Sequence, residues 1–223
     1  MIDAQRTIAL IGQDAYQRIR LTRVILFGVG GVGGWCAEAL VRSGIQHLTI
    51  VDYDTVVPSN LNRQIVATSE NIGLSKVTEM AKRLITIEPD LDIQAIEARY
   101  PFEVDWSQYD IVIDAIDEIG AKVQLLHNAT EAGKQVFCSL GAGRRTDTQH
   151  IHIGEWKKVS GCPVARALRH KMKETLLFPK GPVQCVWSDA DIESEKGTIA
   201  PVVGIFGLQL ASLVLSVGIL HKR

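Results

Sequence analysis

Residues 24–33, Val24-Ile-Leu-Phe-Gly28-Val-Gly30-Gly31-Val-Gly33, carry an apolar run straight into a glycine-rich turn, and a helical pattern through Trp35, Ala37, Leu40 and Val41 follows. A buried strand, a tight turn and a helix in that order read as the opening half of a parallel βαβ unit. Gly28 lets the chain reverse, Gly30 keeps side chains out of the path of a ligand, and Gly33 brings the helix close to the strand, with Gly31 between them. The helix then aims its free amides and positive dipole end at the turn, an arrangement that suits phosphate. Gly44 ends the helix, and a second strand over 47–51 leads into Asp52, 24 positions after Gly28, where an acid would grip a ribose hydroxyl. Glycines at such a turn can serve packing alone. Strand, helix and acid together favour a nucleotide, without choosing between NAD and ATP.

The next stretch chooses. A dinucleotide enzyme needs one acid here, whereas this chain offers Asp52, Asp54, Asn60, Asn62 and Arg63, then Lys76 after Gly73. Arg63 can fork onto a phosphate and Lys76 supplies a compact charge, so together they would offset the charge that builds as pyrophosphate leaves. The series Gly-x-Gly-Gly-x-Gly, Asp-x-Asp, Ser59-Asn60-x-x-Arg63-Gln64, Gly73-x-x-Lys76 and Asp114-Ala-Ile-Asp117 resembles the ThiF/MoeB/HesA superfamily of ubiquitin-activating-like adenylating enzymes. The resemblance implies ATP as the nucleotide, Asp52 and Asp54 on the ribose, and Arg63, Gln64 and Lys76 on the phosphates with Asn60 beside them. It also implies Mg²⁺ on Asp117, an arginine donated from Arg6 to a neighbouring subunit's ATP, and a Na⁺ or K⁺ ion near 141–143. A carboxylate at the end of a parallel strand suits a hard cation, although Asp117 could instead cap the helix that follows. Lys122 is a candidate to neutralise phosphate charge, or else an exposed helix lysine.

Alternating strands (near 24–28, 47–52, 92–97, 109–114 and 135–139) and helices (near 33–43, 73–87 and 119–132), after an opening helix over 8–21, predict an α/β fold with a doubly wound, mainly parallel Rossmann-like sheet. Strands over 149–153 and 182–188 are expected to extend it antiparallel, with a basic helix over 163–173 between them. No linker interrupts the chain, so residues 1–223 are expected to form a single adenylating domain. With 46% hydrophobic and 22% charged residues, a chain of 223 residues can bury a sizeable core. Thr198–Leu220 holds no charged residue and is long enough to cross a bilayer, but Pro201, Gly204, Gly207 and Gln209 interrupt it, and a buried helix is preferred to membrane insertion. No signal-peptide pattern opens the chain, so the cytoplasm is the expected compartment.

The formal net charge of −1 gives no general pull toward polyanions. Residues 157–180 depart from it: Lys157, Lys158, Arg166, Arg169, Lys171, Lys173 and Lys180 face a single acid, Glu174, and Arg144 and Arg145 come just before. Such a run is either a solvated face or a polyanion surface. Gly141-Ala-Gly143, Cys162-Pro-Val-Ala-Arg166-Ala-Leu-Arg169 and Val183-Gln-Cys-Val-Trp-Ser188 resemble the tRNA threonylcarbamoyladenosine dehydratase branch, which activates the threonyl carboxylate of the modified base with ATP. That resemblance implies tRNA as partner, and the long apolar C-terminal helix together with the donated arginine suggests a symmetric homodimer. The four cysteines form no Cys-x-x-Cys pair, against structural zinc. Cys36, Cys138 and Cys185 read as core, and Cys162 as the one exposed thiol. Residues 189–196 read as a mobile acidic loop. Other readings are activation of a ubiquitin-like sulfur-carrier protein ending in Gly-Gly, a nucleotide-binding scaffold without turnover, and an NAD oxidoreductase.

Overall fold

The computed structural model describes residues 2–220, which form one seven-stranded sheet with helices on both faces. The strands are β1 (Arg23–Phe27), β2 (His47–Asp52), β3 (Asp92–Glu97), β4 (Ile111–Asp114), β5 (Gln135–Ser139), β6 (Ile151–Glu155) and β7 (Val183–Ser188), in the spatial order β3-β2-β1-β4-β5-β7-β6. The helices are α1 (Gln5–Ile11), α2 (Gln13–Leu21), α3 (Gly33–Arg42), α4 (Lys76–Ile87), α5 (Ile119–Glu131), α6 (Pro163–Thr175) and α7 (Ala200–Leu220). β1, β4 and β5 are apolar at nearly every position because helices cover both of their faces, as a parallel interior requires. The chain runs outward from β1 to β2 and β3, then returns to place β4 on the other side of β1. This reversal opens a crevice at the carboxyl ends of β1 and β4, the place where open α/β sheets bind ligands.

The doubly wound, mainly parallel α/β fold is as the alternation of elements predicts. Three details differ. β7 pairs parallel with β5, and only β6 runs antiparallel, at the edge. Val183-Gln-Cys-Val-Trp-Ser188 is buried at all but one position, the profile of an interior strand, while β6 is half-buried with Ile153 exposed at its centre. The opening helix is two helices, because Gly12 takes φ +84° and turns the chain between them. Cys162, expected to be exposed, is buried at the start of α6, so all four cysteines are buried thiols.

α7 is the one described helix long and apolar enough to cross a membrane. Its Val202, Phe206, Leu210 and Val214 instead lie in the core shared with α3, β1 and β7. Gly207 makes this docking possible: a Cβ there would collide with the Val32 carbonyl and lie 2.8 Å from Trp35 Cβ. The glycines that interrupt the apolar run are thus what seats the helix.

Candidate active site

A cavity of about 480 Å³ opens at the crevice, within the range of ~300–1,000 Å³ usual for small-molecule sites. One wall is the glycine turn. Gly28 has φ +88°, and a Cβ on it would sit 2.7 Å from the Ala115 carbonyl; a Cβ on Gly33 would collide with the Gly28 carbonyl. Neither position admits another residue, and the turn therefore delivers the N-terminus of α3 to the cavity with Gly30 and Gly31 on its surface. The Asp52 carboxylate holds this geometry: Oδ2 accepts the Val29 N–H at 2.8 Å and Oδ1 the Asp54 N–H at 2.9 Å. Two bonds fill about half of a carboxylate's acceptor capacity, so Asp52 can brace the turn and still accept from a ribose hydroxyl.

The rim is built by the loop after β2. Lys76, buried at the start of α4, reaches Asp54 Oδ2 at 2.6 Å, while half of the Asp54 side chain remains in solvent. Arg63 donates from Nη1 to the Ser59 carbonyl (2.6 Å) and to Asn62 Oδ1 (3.0 Å). Asn60 is buried and accepts the Val57 N–H at 3.2 Å. Gln64 is buried beside Gly30, and its Oε1 has no hydrogen-bond partner among the described residues. A buried acceptor without a donor is unfavourable, so this amide is poised for a ligand.

The floor comes from β4 and β5. Asp117 is exposed on the cavity side of the loop after β4 and makes no hydrogen bond or ion pair among the described residues. It does not cap α5, whose N-cap position is Glu118, with no side-chain cap. Lys122 corrects an expectation: 1% exposed, it is no surface lysine but lies under the cavity, 2.8 Å from Asp114 Oδ1 and 2.9 Å from the Ser139 carbonyl. Burial pushes the Asp114 carboxyl up against the pull of Lys122. Burial pulls the Lys122 ammonium down most strongly of any single cause, but the charge and hydrogen bond of Asp114, together with the neighbouring Cys138 and Cys185, outweigh it and leave Lys122 raised.

Of the residues singled out by sequence, Gly28, Gly30, Gly31, Asp52, Asp54, Asn60, Arg63, Gln64, Lys76, Asp117 and Lys122 line this cavity. Gly33 acts behind the turn. Arg6 is exposed on α1 and does not line the cavity, so within one chain it is not brought to the site. Sequence reasoning missed Tyr53, Arg99, Tyr100 and Glu118, which also line it. Arg99 bonds Glu118 at 2.9 Å and lies 5.4 Å from the Tyr53 ring centre. The Asp54 charge, first among its neighbours, raises the Tyr53 hydroxyl above its ordinary value. The signal for Arg99 was its place just after β3, which points at the crevice only once the strand order is known.

A second cavity, about 350 Å³, lies along α6 between Gly161, Cys162, Arg166, Arg169, His170 and Lys173. Within it Arg169 stacks on Trp156 at 4.9 Å and donates to the Val159 carbonyl, whereas Arg166 and Lys173 are exposed and form no ion pair among the described residues. Arg144 and Arg145 do not join this basic surface. Arg144 donates to the Glu193 and Ser194 carbonyls, and buried Arg145 to that of Ala190, so they strap down the acidic segment read from sequence as a mobile loop.

The ThiF family profile matches residues 2–222. The tRNA threonylcarbamoyladenosine dehydratase of Bacillus subtilis (strain 168) is 33% identical over 184 residues, 80% of this chain and 71% of that protein. The crystal structure of the Escherichia coli tRNA N6-threonylcarbamoyladenosine dehydratase in complex with ATP superposes with a TM-score of 0.89 at 31% identity, covering 99% of this chain and 97% of that one. The molybdopterin-synthase adenylyltransferase of Escherichia coli (strain K12) is 29% identical over 212 residues, 93% of this chain and 78% of that protein.

Proposed function

The chain belongs to the ThiF family, and from that premise we propose that it is an ATP-dependent adenylating enzyme whose substrate is threonylcarbamoyladenosine in tRNA, dehydrated to its cyclic form. The single observation that carries the reading is the cavity, which gathers phosphate-binding cations and a free carboxylate against the glycine turn of a chain superposing on an ATP-bound dehydratase. The threonyl carboxylate attacks the α-phosphorus of ATP. A carboxylate oxygen–phosphorus bond forms, the bond to pyrophosphate breaks, and the resulting acyl adenylate is closed on by the carbamoyl group with loss of AMP. Arg63 and Lys76 stabilise the departing pyrophosphate, each exchanging its present partner for phosphate oxygens. Gln64 and Asn60 fix the nucleotide, and Asp52 and Asp54 hold the ribose. No cysteine is needed as acyl acceptor, and the four present are buried.

Asp117 fits Mg²⁺: it is a hard oxygen donor, without a hydrogen bond or ion pair among the described residues, in the loop that follows β4. No group of three or more His, Cys, Asp or Glu among the described residues could hold a metal, so the phosphates would complete its coordination. When bound, the ion would neutralise charge developing on the phosphates. A Na⁺ or K⁺ ion beside Gly141–Gly143, one domain spanning residues 1–223, and work in the cytoplasm belong to the same proposal. So does a homodimer in which Arg6 reaches the ATP of the neighbouring copy, in keeping with its not lining the cavity of its own chain. Mixing inactive Arg6→Ala and Asp117→Ala proteins would then restore partial turnover. The tRNA lies on the exposed cations of α6, whose first turn contributes Val164 to the cavity wall.

The test incubates the protein with ATP, Mg²⁺ and tRNA carrying threonylcarbamoyladenosine, then digests the tRNA and measures loss of water from the nucleoside. ATP–pyrophosphate exchange that requires instead a carrier protein ending in Gly-Gly would move the assignment to sulfur-carrier activation, in line with the adenylyltransferase relative.

A further inference from the structure

Lys122 borders the cavity, yet its ammonium is already engaged. It carries three protons, and three acceptors surround it: Asp114 Oδ1 at 2.8 Å, the Ser139 carbonyl at 2.9 Å and Cys138 Sγ at 3.6 Å. Asp114 is engaged as fully. Its Oδ1 also accepts the Ile116 N–H at 3.1 Å, and its Oδ2 accepts the Cys138 thiol at 3.4 Å. A lysine so held has no donor left for a phosphate, in contrast to Lys76 on the rim.

The elements joined by these bonds are informative. Asp114 ends β4, Ser139 ends β5, and Lys122 lies in the first turn of α5. The loop bearing Asp117 runs between Asp114 and Lys122, so both of its ends are tied to one buried ion pair. Its Ala115 carbonyl lies against Gly28, close enough that a Cβ there would be 2.7 Å away. Loop, glycine turn and two strand ends therefore share a single anchor beneath the nucleotide cavity. We propose that Lys122, through Asp114, is a positioning residue that holds the Ala115–Glu118 loop so that the Asp117 carboxylate meets the metal–nucleotide complex. The inference rests on the ATP-dependent reading above. It differs from a core ion pair serving stability alone, and from direct contact between Lys122 and phosphate.

The test is ATP titration by calorimetry, with Mg²⁺ and again with EDTA, on the wild type, Asp117→Asn, Asp114→Asn and the double variant Asp114→Asn/Lys122→Met. The double variant leaves no uncompensated buried charge, and Asp114→Asn keeps the shape of the site. Supporting bonds around a ligating carboxylate are worth roughly 10–100-fold in metal affinity or activity. Both anchor variants are therefore expected to bind ATP in EDTA within about threefold of wild type and to lose at least about tenfold of the tightening by Mg²⁺, as Asp117→Asn does. Full Mg²⁺-dependent tightening in a cooperatively folded anchor variant would show a stability role only and overturn the proposal. Loss of ATP affinity equally in Mg²⁺ and EDTA would overturn it in favour of direct phosphate contact.

Hydrogen exchange of the wild type without nucleotide supplies a reading that needs no variant to fold. The Ile116 amide is expected to be protected, and exchange at the rate of an open loop would overturn the proposal. None of these measurements uses tRNA, so a failed dehydration assay leaves them standing; a wild type that does not bind ATP would instead sink the nucleotide reading itself.

Discussion

The rim and the floor of the cavity each carry a lysine–aspartate pair, and they are built to opposite ends. On the rim, Lys76 meets Asp54, whose side chain is 47% exposed; on the floor, Lys122 and Asp114 are 1% and 0% exposed. Solvent at Asp54 keeps the rim pair weak, so Lys76 can trade its carboxylate for a phosphate at little cost. The floor pair has no water to compensate either partner once the other is gone, and all three of its ammonium protons are engaged. The same two residue types thus give an exchangeable charge in one place and a fixed anchor in the other. Burial makes the difference.

Breaking one partner at each place sharpens the contrast. Lys122→Ala should cost about 3–5 kcal/mol of unfolding free energy by leaving the buried Asp114 carboxyl without its countercharge, read from urea denaturation. A loss below about 1 kcal/mol would mean that the floor is as wet as the rim. Lys76→Ala should do the reverse: turnover falls by roughly 10²–10³, as when a donor to developing charge is removed, while stability falls by less than in Lys122→Ala, because the Asp54 carboxylate left behind is half exposed to water. A single-turnover assay and a melting curve on the same sample separate these outcomes.

A third region extends the comparison outward. Charge reversal of exposed Arg166 and Lys173 on α6 should weaken tRNA binding without changing ATP affinity, and should reduce the slope of log affinity against log salt by about 1 for each phosphate no longer neutralised. An unchanged slope in a filter-binding series would remove α6 from the tRNA path.

The smallest effect belongs to a surface pair. The hydrogen bond that His150 Nδ1 donates to the Asp147 carboxylate raises the His150 pKa above its ordinary 6.5. The folded form binds this proton more tightly, so the pair's stabilisation is complete below about pH 6.5 and disappears as pH rises through the raised value. Melting temperature should fall slightly across that window in the wild type, and His150→Gln should flatten the decline. An identical profile in both proteins would show that the pair contributes nothing.

Much of the rim was legible in sequence because its parts are close along the chain. Gly28, Asp52, Arg63 and Lys76 fall in one run between β1 and α4, and their spacing alone suggests a common site. The floor was less legible. Lys122 in an amphipathic segment looks like any exposed helix lysine, and only the packing of α5 on β4 and β5 puts it underground. Arg144 and Arg145 read as an extension of the basic patch, because sequence does not show that the carbonyls of residues 190–194 return to meet them. Cys162 beside a proline in a loop suggested exposure, but α6 packs over α5 and encloses it.

From its residues alone the chain determined the βαβ opening, the glycine-rich turn and the acid after β2, because glycine freedom and hydrophobic period are local properties that neighbours in sequence express without help. The tertiary structure decided which charges stay in water and which are sealed, which strand faces which, and that Arg6 does not line the cavity of its own chain. These depend on contacts between distant segments, and the free energy of a charge is set by what surrounds it rather than by what precedes it in the chain.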